Sequence, residues 1–363
     1  MTKTLLILGA GGGGGNNLIR SLKQSGLDLR ILGSNCLSHA VAKSTAEVTY
    51  LLPESESSEY LPKLLGVVDS ESVDLIIPNN DREVAMISKL RGELPCRVFL
   101  PDHETVLTCQ DKHRFYQVLQ SIGAKMSPSV SISGISGIED AMSILPSSDR
   151  YWVRPRRGSG SRGATWVRTS DQARKWIELW VDLRGYHAED FQISVFLPGR
   201  DYNFQSVWKD GQLIVGSLVE RLSYYMGATR LSGMASTPEI ARTLHDPRAI
   251  NNAIEAIRAV SKVPNGSFNV DMKGDANGDM HITEINIGRF PMITTLHDSS
   301  GEFNCAESYV RCAFKMPNNI LNPIDIKEGF VLIRELDTEP LVIHEKKIKG
   351  FSADELRKNS GFI

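Results

Sequence analysis

Two carboxylates and two amides in this chain are spaced so that one β-hairpin would bring them together. The stretch Gly266–Arg289 reads GSFNVDMKGDANGDMHITEINIGR, and its Asn277-Gly278 pair predicts a two-residue hairpin turn. With that turn Ala276 lies opposite Asp279, and residues two apart along a strand share a face. The apolar face would carry Phe268, Val270, Met272, Ile285 and Ile287. The polar face would carry Asn269, Asp271, Glu284 and Asn286.

Asp271 and Glu284 would lie opposite each other on the polar face and would need a counter-charge. Side chains directly across a strand pair lie about 5 Å apart, and like charges at that distance are destabilising. Asp271 and Glu284 make sense there if a hard cation bridges them, and Mg²⁺ takes oxygen ligands that it usually shares with substrate phosphates. An exposed face with solvated charges is the competing interpretation, and the hairpin alone does not decide between the two.

A glycine- and arginine-rich loop is the second candidate for chemistry. Tyr151–Val167 reads YWVRPRRGSGSRGATWV, and we interpret its two ends as strands. Backbone N–H groups of such a loop, together with arginine forks, can close over phosphates. An RG-rich RNA contact is weaker, because apolar strands flank the loop and no basic patch continues beyond it. A plain exposed hairpin is the remaining alternative.

The N-terminal glycine run follows an apolar strand. Gly9, Gly11 and Gly14 satisfy GxGxxG between the strand Thr4–Leu8 and a helix, which by itself suggests dinucleotide binding. The second strand, however, runs into Gly33-Ser34-Asn35-Cys36 without the acid that would bind a ribose. A tight turn, or a small-anion site at a helix N-terminus, therefore ranks above a nicotinamide site.

The elements around these motifs predict an α/β chain. Apolar runs alternate with helix-like segments over residues 3–108, which indicates βαβ units and a parallel sheet. Cys109–Gly123 is predicted as one helix with Lys112 near its start. Further strands are predicted at Asp190–Leu197 and Asp201–Trp208, and a long helix within Thr237–Val260. Near the C-terminus we predict strands at Phe330–Ile333 and Pro340–Ile343 and a helix at Ala353–Lys358.

Composition excludes several classes of protein. The 363 residues are enough for two or three domains, and the net charge of −2 does not favour nucleic acid or an anionic membrane. No apolar run is long enough to span a bilayer, and the first apolar stretch is too short for a signal peptide. The five cysteines show no CxxC spacing, which predicts reduced thiols in a cytoplasmic protein.

Taken in order, these pieces resemble an ATP-grasp enzyme, of the group related to carbamoyl-phosphate synthase large-subunit modules and carboxylate–amine ligases. The stretches that carry the resemblance cover roughly residues 1–318. They are Asp74–Val84 (DLIIPNNDREV), Val98–Lys112 (VFLPDHETVLTCQDK), Tyr151–Gly163, Phe196–Tyr202 (FLPGRDY) and the hairpin ending in EIN. The resemblance implies a Rossmann-like pre-ATP-grasp domain followed by a two-lobed ATP-grasp fold, of α/β and α+β class.

The resemblance also implies domains and site residues. The domains would be 1–108 (Rossmann-like), 109–188 (first ATP-grasp part with a lid), 189–322 (lobe with the metal hairpin) and 323–363 (C-terminal extension). ATP would be bound by Lys112, Arg154, Gly158, Ser159, Gly160, Ser161, Phe196, Leu197 and Asp201. Asp271, Glu284 and Asn286 would hold Mg²⁺, with Mn²⁺ as an alternative. Asn16, Asn80 and Arg289 would contact substrate.

Two arginines are candidates for catalysis. Related sequences usually read EINPR, whereas here Ile287-Gly288 separates Asn286 from Arg289 by one extra residue, and a one-residue slip in a strand reverses facing. A bulge at Gly288 would restore the facing of Arg289. Arg230, in the sequence GATR, is the second candidate; a solvated loop arginine explains it equally well.

The implied reaction activates a carboxylate with ATP as an acyl phosphate, which an amine or amino acid attacks to give an amide, ADP and phosphate. The alternatives are carbamoyl-phosphate-synthase-like phosphorylation of bicarbonate or carbamate, a nicotinamide oxidoreductase, and a nucleotide-binding regulator without turnover. Predicted partners are a small carboxylate and an amine, without nucleic acid or membrane, and with a homodimer left open. These motifs do not name the acid or the amine.

Overall fold

Three β-sheets organise the chain in the computed structural model, which describes residues 2–336 and 339–359, without the side chains of residues 358 and 359. One sheet is parallel and has five strands, one is antiparallel and has four, and the largest has seven strands, all antiparallel to their neighbours. The predicted α/β and α+β class is confirmed.

The N-terminal domain is a parallel sheet between helices, as predicted. Its strands lie in the order β3-β2-β1-β4-β5. The elements are β1 (Lys3–Leu8), α1 (Gly13–Lys23), β2 (Leu29–Asn35), α2 (Ser38–Ala42), β3 (Val48–Leu51), α3 (Tyr60–Ser70), β4 (Leu75–Pro78), α4 (Asp81–Lys89) and β5 (Arg97–Val98). The strand order reverses between β1 and β4, where open α/β sheets bind ligands at the carboxyl ends of the strands.

A small four-stranded sheet follows, and we call residues 129–195 the lid. Two helices precede it, α5 (His103–Gln110) and α6 (Lys112–Ser121). The single helix predicted over Cys109–Gly123 is therefore wrong: Asp111 has extended backbone and caps α6, because its carboxylate accepts from the N–H groups of His113 and Arg114. The lid contains β6 (Ser129–Ser131), α7 (Ile138–Ile144), β7 (Tyr151–Pro155), β8 (Thr165–Val167), α8 (Ser170–Arg184) and β9 (Phe191–Val195).

The seven-stranded sheet, which we call the large lobe, completes the molecule. Its strand order is β14-β13-β10-β11-β12-β15-β16. The elements are β10 (Asp201–Lys209), β11 (Gln212–Tyr224), β12 (Pro238–Thr243), α9 (Pro247–Val260), β13 (Gly266–Gly274), β14 (Met280–Ile287), α10 (Thr294–Ser300), α11 (Cys305–Ala313), β15 (Phe330–Ile333), β16 (Leu341–His344) and α12 (Ala353–Asn359). The predicted C-terminal strands and helix are thus present, and the two strands extend this sheet.

The N-terminal domain packs directly on the large lobe through a shared apolar core. Leu18, Ile19 and Leu22 of α1 are buried in one cluster with Ala306, Tyr309 and Val310 of α11. Burial of this many aliphatic side chains fixes the two units against each other, since each contributes on the order of 2 kcal/mol. None of the helices in the described ranges is long and apolar enough to cross a membrane.

Candidate active site

A cavity of about 400 Å³ lies where the N-terminal domain, the lid and the large lobe meet. One end, which we call the base end, is lined by Met126, Trp152, Val195, Phe196, Leu197 and Ile282. The middle is lined by Lys112, Arg154, the loop Gly158–Arg162, Asp271, Glu284 and Asn286. The opposite end, which we call the acceptor end, is lined by Gly14, Asn79, Asn80, Asp81 and Arg289–Met292.

The metal hairpin has the predicted polar face but reaches it by a different route. Asp271 pairs with Glu284 and Asn269 pairs with Asn286, so the predicted facing of these residues is confirmed. The predicted two-residue turn is wrong, because Asp275 pairs with Asp279 around a three-residue loop in which Gly278 has φ +84°. The strand pairs next to the turn are thereby shifted by one residue from the predicted register. A bulge at Thr283 restores the predicted register for the pairs farther from the turn.

The bulge supplies a polar contact of its own. Arg154 Nη2 donates to the Thr283 carbonyl over 3.0 Å, and Thr283 Oγ1 donates to the Asp271 carbonyl over 3.0 Å. A regular strand would direct the carbonyl of this residue into the ladder instead. The bulge therefore orients Arg154, which lies across the cavity on β7 of the lid.

Two cations flank Glu284. Its Oε2 lies 3.5 Å from Lys112 Nζ and 3.7 Å from Arg154 Nη1. Burial opposes ionisation of this carboxyl group, but the charges of Lys112 and Arg154 outweigh burial and lower its pKa to about 2. Glu284 is thus ionised at neutral pH, between Lys112 of α6 and Arg154 of the lid.

Asp271, directly opposite, has the opposite electrostatic balance. Burial raises the pKa of this carboxyl group to about 6; the Glu284 charge adds to the rise, and Arg221 opposes it. Arg221 Nη2 lies 2.9 Å from Asp271 Oδ1, and Asn203 Nδ2 donates to the same oxygen over 2.6 Å. The pair retains a repulsion that a bound divalent cation would relieve.

The oxygen set fits a divalent cation shared with phosphates. Asn286 Nδ2 donates to Asp271 Oδ2 over 3.0 Å, so the amide already lies beside the carboxylate pair. No three His, Cys, Asp or Glu side chains are grouped for a metal within the described ranges. The site therefore depends on the Asn286 amide and on ligand oxygens, which is how Mg²⁺ is commonly held in phosphate-transfer sites.

Arg289 returns to the polar face despite the extra residue before it. Gly288 has φ +70°, and its N–H donates to the Ser267 carbonyl over 2.8 Å, which breaks the strand alternation at that point. Arg289 Nε donates to Asp81 Oδ1 over 2.6 Å, and Nη2 donates to Asn286 Oδ1. The predicted irregularity at Gly288 is present, and it brings Arg289 to the cavity. Its catalytic role stays a prediction.

The glycine-rich loop lies over the middle of the cavity. Gly158, Gly160 and Ser161 have positive φ, a conformation that glycine adopts without strain. Lys112 Nζ donates to the Gly158 carbonyl over 3.0 Å, and Arg230 Nη1 donates to the Gly160 carbonyl over 3.2 Å. Arg230 thus supports the loop from the large lobe and does not line the cavity.

The base end is lined mainly by apolar side chains. The Phe196 N–H donates to the Arg150 carbonyl over 3.1 Å, whereas the Leu197 N–H has no acceptor among the described residues. The Arg150 guanidinium stacks on the Phe196 ring at 4.4 Å, and the ring of Trp152 lies 6.2 Å from that of Phe196. The Leu197 amide is therefore the backbone group that remains for a ring edge.

The other predicted contacts are less direct. Asp201 lines the cavity, but its carboxylate already pairs with Arg221 at 2.7 Å and accepts from the Tyr224 hydroxyl at 2.9 Å. Asn80 lines the acceptor end and caps α4. Asn16 does not line the cavity: its Nδ2 donates to the Lys43 carbonyl and its Oδ1 accepts from the Gly11 N–H. We therefore remove Asn16 from the substrate contacts.

Several cavity residues were missed in the sequence. Lys273 was assigned no role, whereas Arg221, Asp81 and Asn79 lie in stretches, Glu220–Thr237 and Asn79–Arg82, that were expected only in general to line a substrate pocket. Arg221 lies on β11 next to Glu220, and Lys273 lies on β13 two residues from Asp271. Glu220 and Asp271 are both buried and polar, which is an unusual pattern for sheet interiors. Asp81 follows β4 at the switch point of the parallel sheet, and that position was the available signal.

The fold is that of the ATP-grasp enzymes. Residues 5–95 match the family model described as the PylC-like N-terminal domain. No curated protein sequence matches the chain.

Three solved structures illustrate the likeness. Biotin carboxylase from Campylobacter jejuni, a β,γ-ATP complex, aligns with a TM-score of 0.70 and 16% identity over 91% of this chain and 74% of that chain. The N5-carboxyaminoimidazole synthetase from Staphylococcus aureus gives 0.67 and 14% over 91% and 82%. The L-amino acid ligase from Bacillus licheniformis gives 0.68 and 13% over 91% and 78%. At such identities the likeness establishes the fold.

Proposed function

We propose that this protein is an ATP-dependent, ADP-forming ligase that activates a small carboxylate as an acyl phosphate for attack by an amine or amino acid. One observation carries the proposal: the hairpin carboxylates, two cations and a glycine-rich loop converge on the middle of one cavity. Phosphoryl transfer consists mostly of positioning and charge neutralisation, and this arrangement supplies both. The three relatives named above are synthetases, carboxylases or ligases by title, which is consistent with the proposal.

Each part of the cavity has a task in this reaction. The base end takes the adenine against Phe196 and the Leu197 amide. Lys112, Arg154 and the loop Gly158–Ser161 hold the triphosphate. Asp271, Glu284 and Asn286 would hold Mg²⁺, which neutralises phosphate oxygens when bound. Arg289 orients the carboxylate oxygen that attacks the terminal phosphorus, while the lid excludes water from the acyl phosphate.

The first experiment measures ADP and phosphate release with Mg·ATP over pooled carboxylic acids, each with and without pooled amines and amino acids. Release that needs both pools supports the ligase, and deconvolution names the substrates. Release with bicarbonate alone favours the carbamoyl-phosphate-synthase-like alternative. ATP binding without any release favours the regulator. If the protein neither binds ATP nor releases ADP, the proposal is contradicted.

Glu284→Gln tests the metal site. Without this carboxylate a bound Mg²⁺ would lose an anionic ligand, and the side chains of Lys112 and Arg154 would lose their counter-charge. Turnover should therefore fall roughly 100-fold or more. The assay is ADP release, with circular dichroism to verify the fold. Glu255→Gln, an exposed position on α9, is the matched control and should retain full turnover. Unchanged turnover in Glu284→Gln would remove Glu284 from the site.

A further inference from the structure

The start of α1 forms a wall of the acceptor end. The helix has eleven residues, begins at Gly13 and has no side-chain cap at Gly12. Its first backbone bond runs from the Asn16 N–H to the Gly12 carbonyl over 2.9 Å. The N–H groups of Gly13, Gly14 and Gly15 therefore have no acceptor within the described part of the chain, and the helix dipole adds partial positive charge there.

An independent observation at the same place points to a ligand. Asn79 is 9% exposed, and its Nδ2 has no hydrogen-bond partner in the described residues. Its Oδ1 accepts from the Phe290 N–H over 2.7 Å, which fixes the amide orientation, because an N–H cannot face an NH₂ group. The Nδ2 lies 3.1 Å from the point where a Cβ on Gly14 would stand, so it is directed at the helix start.

A buried donor without a partner is costly, by about 1–3 kcal/mol, unless a ligand satisfies it. Asn79 Nδ2 and the Gly14 N–H therefore meet at the cavity without an acceptor, and the Gly13 and Gly15 N–H groups lie in the same helix turn. Together they form a cradle for an anion that accepts several hydrogen bonds.

The charges nearby select the class of anion. Among the described residues, Arg289 is the one Lys or Arg side chain that lines the acceptor end, and it is already paired with Asp81 and Asn286. A phosphate dianion would call for further cations, whereas neutral donors and a helix dipole suit a monoanionic carboxylate. The adjoining wall is apolar, with Phe290 and Met292, and Met292 Cε lies 2.9 Å from the Cβ position of Gly13.

We propose that the N-terminus of α1 and Asn79 form an anchoring subsite for a carboxylate of the substrate, separate from the carboxylate or amine that reacts beside Arg289. The substrate class is then a small amino acid or dicarboxylic acid with a short apolar stem. The identification of the bound carboxylate as part of a substrate rests on the proposed ligase function, whereas the anion cradle itself can be tested without turnover.

The test uses backbone amide chemical shifts of the ¹⁵N-labelled full chain, with sodium acetate as probe and inorganic phosphate as comparison at matched ionic strength. Acetate should shift the Gly13, Gly14 and Gly15 amides saturably. Asn79→Asp keeps the acceptor for Phe290 and the volume but replaces the free donor by a negative oxygen. Acetate affinity at these amides should therefore fall at least about tenfold in Asn79→Asp.

Two further variants separate the cradle from general charge effects. Asn16→Asp adds the same charge to the same helix turn outside the cavity and should leave acetate binding within about twofold of the wild type. Gly14→Ala keeps an allowed backbone and fills the space beside Asn79 Nδ2, so it should weaken acetate about as much as Asn79→Asp.

The outcomes are distinct. No acetate-dependent shift at Gly13–Gly15, an equal loss in Asn16→Asp, or phosphate binding more tightly than acetate would overturn the carboxylate subsite. Mg·ATP binding, followed in parallel by intrinsic tryptophan fluorescence, tests the ligase proposal separately. Once substrates are known, Asn79→Asp should raise KM for the anchored substrate and leave KM for ATP unchanged.

Discussion

Glu83 is a buried carboxyl group that pairs with no Lys, Arg or His in the described ranges. It lies on the first turn of α4, 9% exposed, and accepts a hydrogen bond from Asn80 Nδ2. Burial raises its pKa to about 7 against this opposing hydrogen bond. The folded state therefore holds the proton more tightly than the unfolded chain does, and the charged form is the costly one.

The contribution of Glu83 to the stability of the fold should consequently decrease as the pH rises. Between the ordinary pKa of 4.5 and about 7 the native state binds more protons than the unfolded state, so the free energy of unfolding falls by about 3 kcal/mol across this window. Glu83→Gln lacks this contribution, so its free energy of unfolding relative to that of the wild type should rise between pH 5 and pH 8. Urea unfolding of both proteins at the two pH values measures this difference. The exposed Glu93→Gln should unfold like the wild type, and a difference between Glu83→Gln and the wild type that does not change with pH would contradict the assignment.

The residues proposed to bind the metal were predicted from the sequence, whereas the residues that hold them in place were not. Asp271, Glu284 and Asn286 were found because a hairpin register depends only on spacing and turn. Arg221 was not, because nothing local shows that a residue on β11 lies 2.9 Å from Asp271 on β13, two strands away. Such contacts come from strand order, which spacing along one hairpin does not contain.

At the scale of elements, the metal hairpin shows two errors that cancel. The turn is one residue longer than predicted, and the Thr283 bulge takes up that residue before the ligands. The sequence did contain the signal: apolar residues of β14 fall at 280, 282, 285 and 287, and the step of three marks the bulge. All four side chains lie in one buried cluster, which a regular strand could not achieve.

Deletion of Thr283 should remove the carbonyl that Arg154 contacts and keep the strand register of the metal-binding side chains. Without this residue β14 becomes a regular strand in which Asp271 still faces Glu284, but Arg154 loses its carbonyl acceptor. We expect the affinity for ATP to fall about tenfold, since a hydrogen bond to a charged group is worth roughly 1.5–3 kcal/mol. Isothermal titration with Mg·ADP and Mg·ATP measures this.

The matched control is a deletion at the tip of the same hairpin. Removing Ala276 shortens the loop to Asn277-Gly278, the preferred two-residue turn, and keeps Asp275 opposite Asp279. Nucleotide affinity should then be unchanged. Equal losses in the two deletion variants would show that hairpin integrity, and not the Thr283 carbonyl, supports ATP binding.

At the scale of the whole molecule, α6 and the large lobe hold the glycine loop of the lid from two sides. The carbonyls of Gly158 and Gly160 are bonded by Lys112 and Arg230 respectively, while the Arg157 side chain is 76% exposed. Bound triphosphate would add acceptors for the loop amides. The loop should thus become less accessible when nucleotide binds.

Limited trypsin digestion measures this. Cleavage after Arg157 and Arg162, both exposed, should slow about tenfold with Mg·ATP, because the order that ligand contacts impose reduces local opening. Cleavage after Lys349, exposed near the C-terminus, should keep its rate. Equal protection at both places would indicate a global effect of the nucleotide, and no protection at Arg157 would argue against a phosphate contact by this loop.

Much of the architecture was predictable because each element carries its own pattern. Buried runs such as Leu5–Leu8 and Leu75–Ile77 indicated the parallel sheet, and it is present. The break at Asp111 was missed, since no glycine or proline marks it and only the capping of the His113 and Arg114 amides by Asp111 separates the two helices. The domain boundaries at residues 108, 188 and 322 stay predictions.

The strand end that carries Arg289 is fastened to the N-terminal domain by Asp81 and Asn79. The cavity is thereby built from two sources: the large lobe and the lid supply the base end and the middle, whereas loops after β1 and β4 supply half of the acceptor end. Under the proposed function, substrate choice and the use of ATP would be encoded in different parts of the chain. Replacing the first hundred residues by those of another protein of this fold should then change the acid specificity and leave the proposed ATP site in place. The new segment must keep residues that pair with Arg289 and Phe290 as Asp81 and Asn79 do.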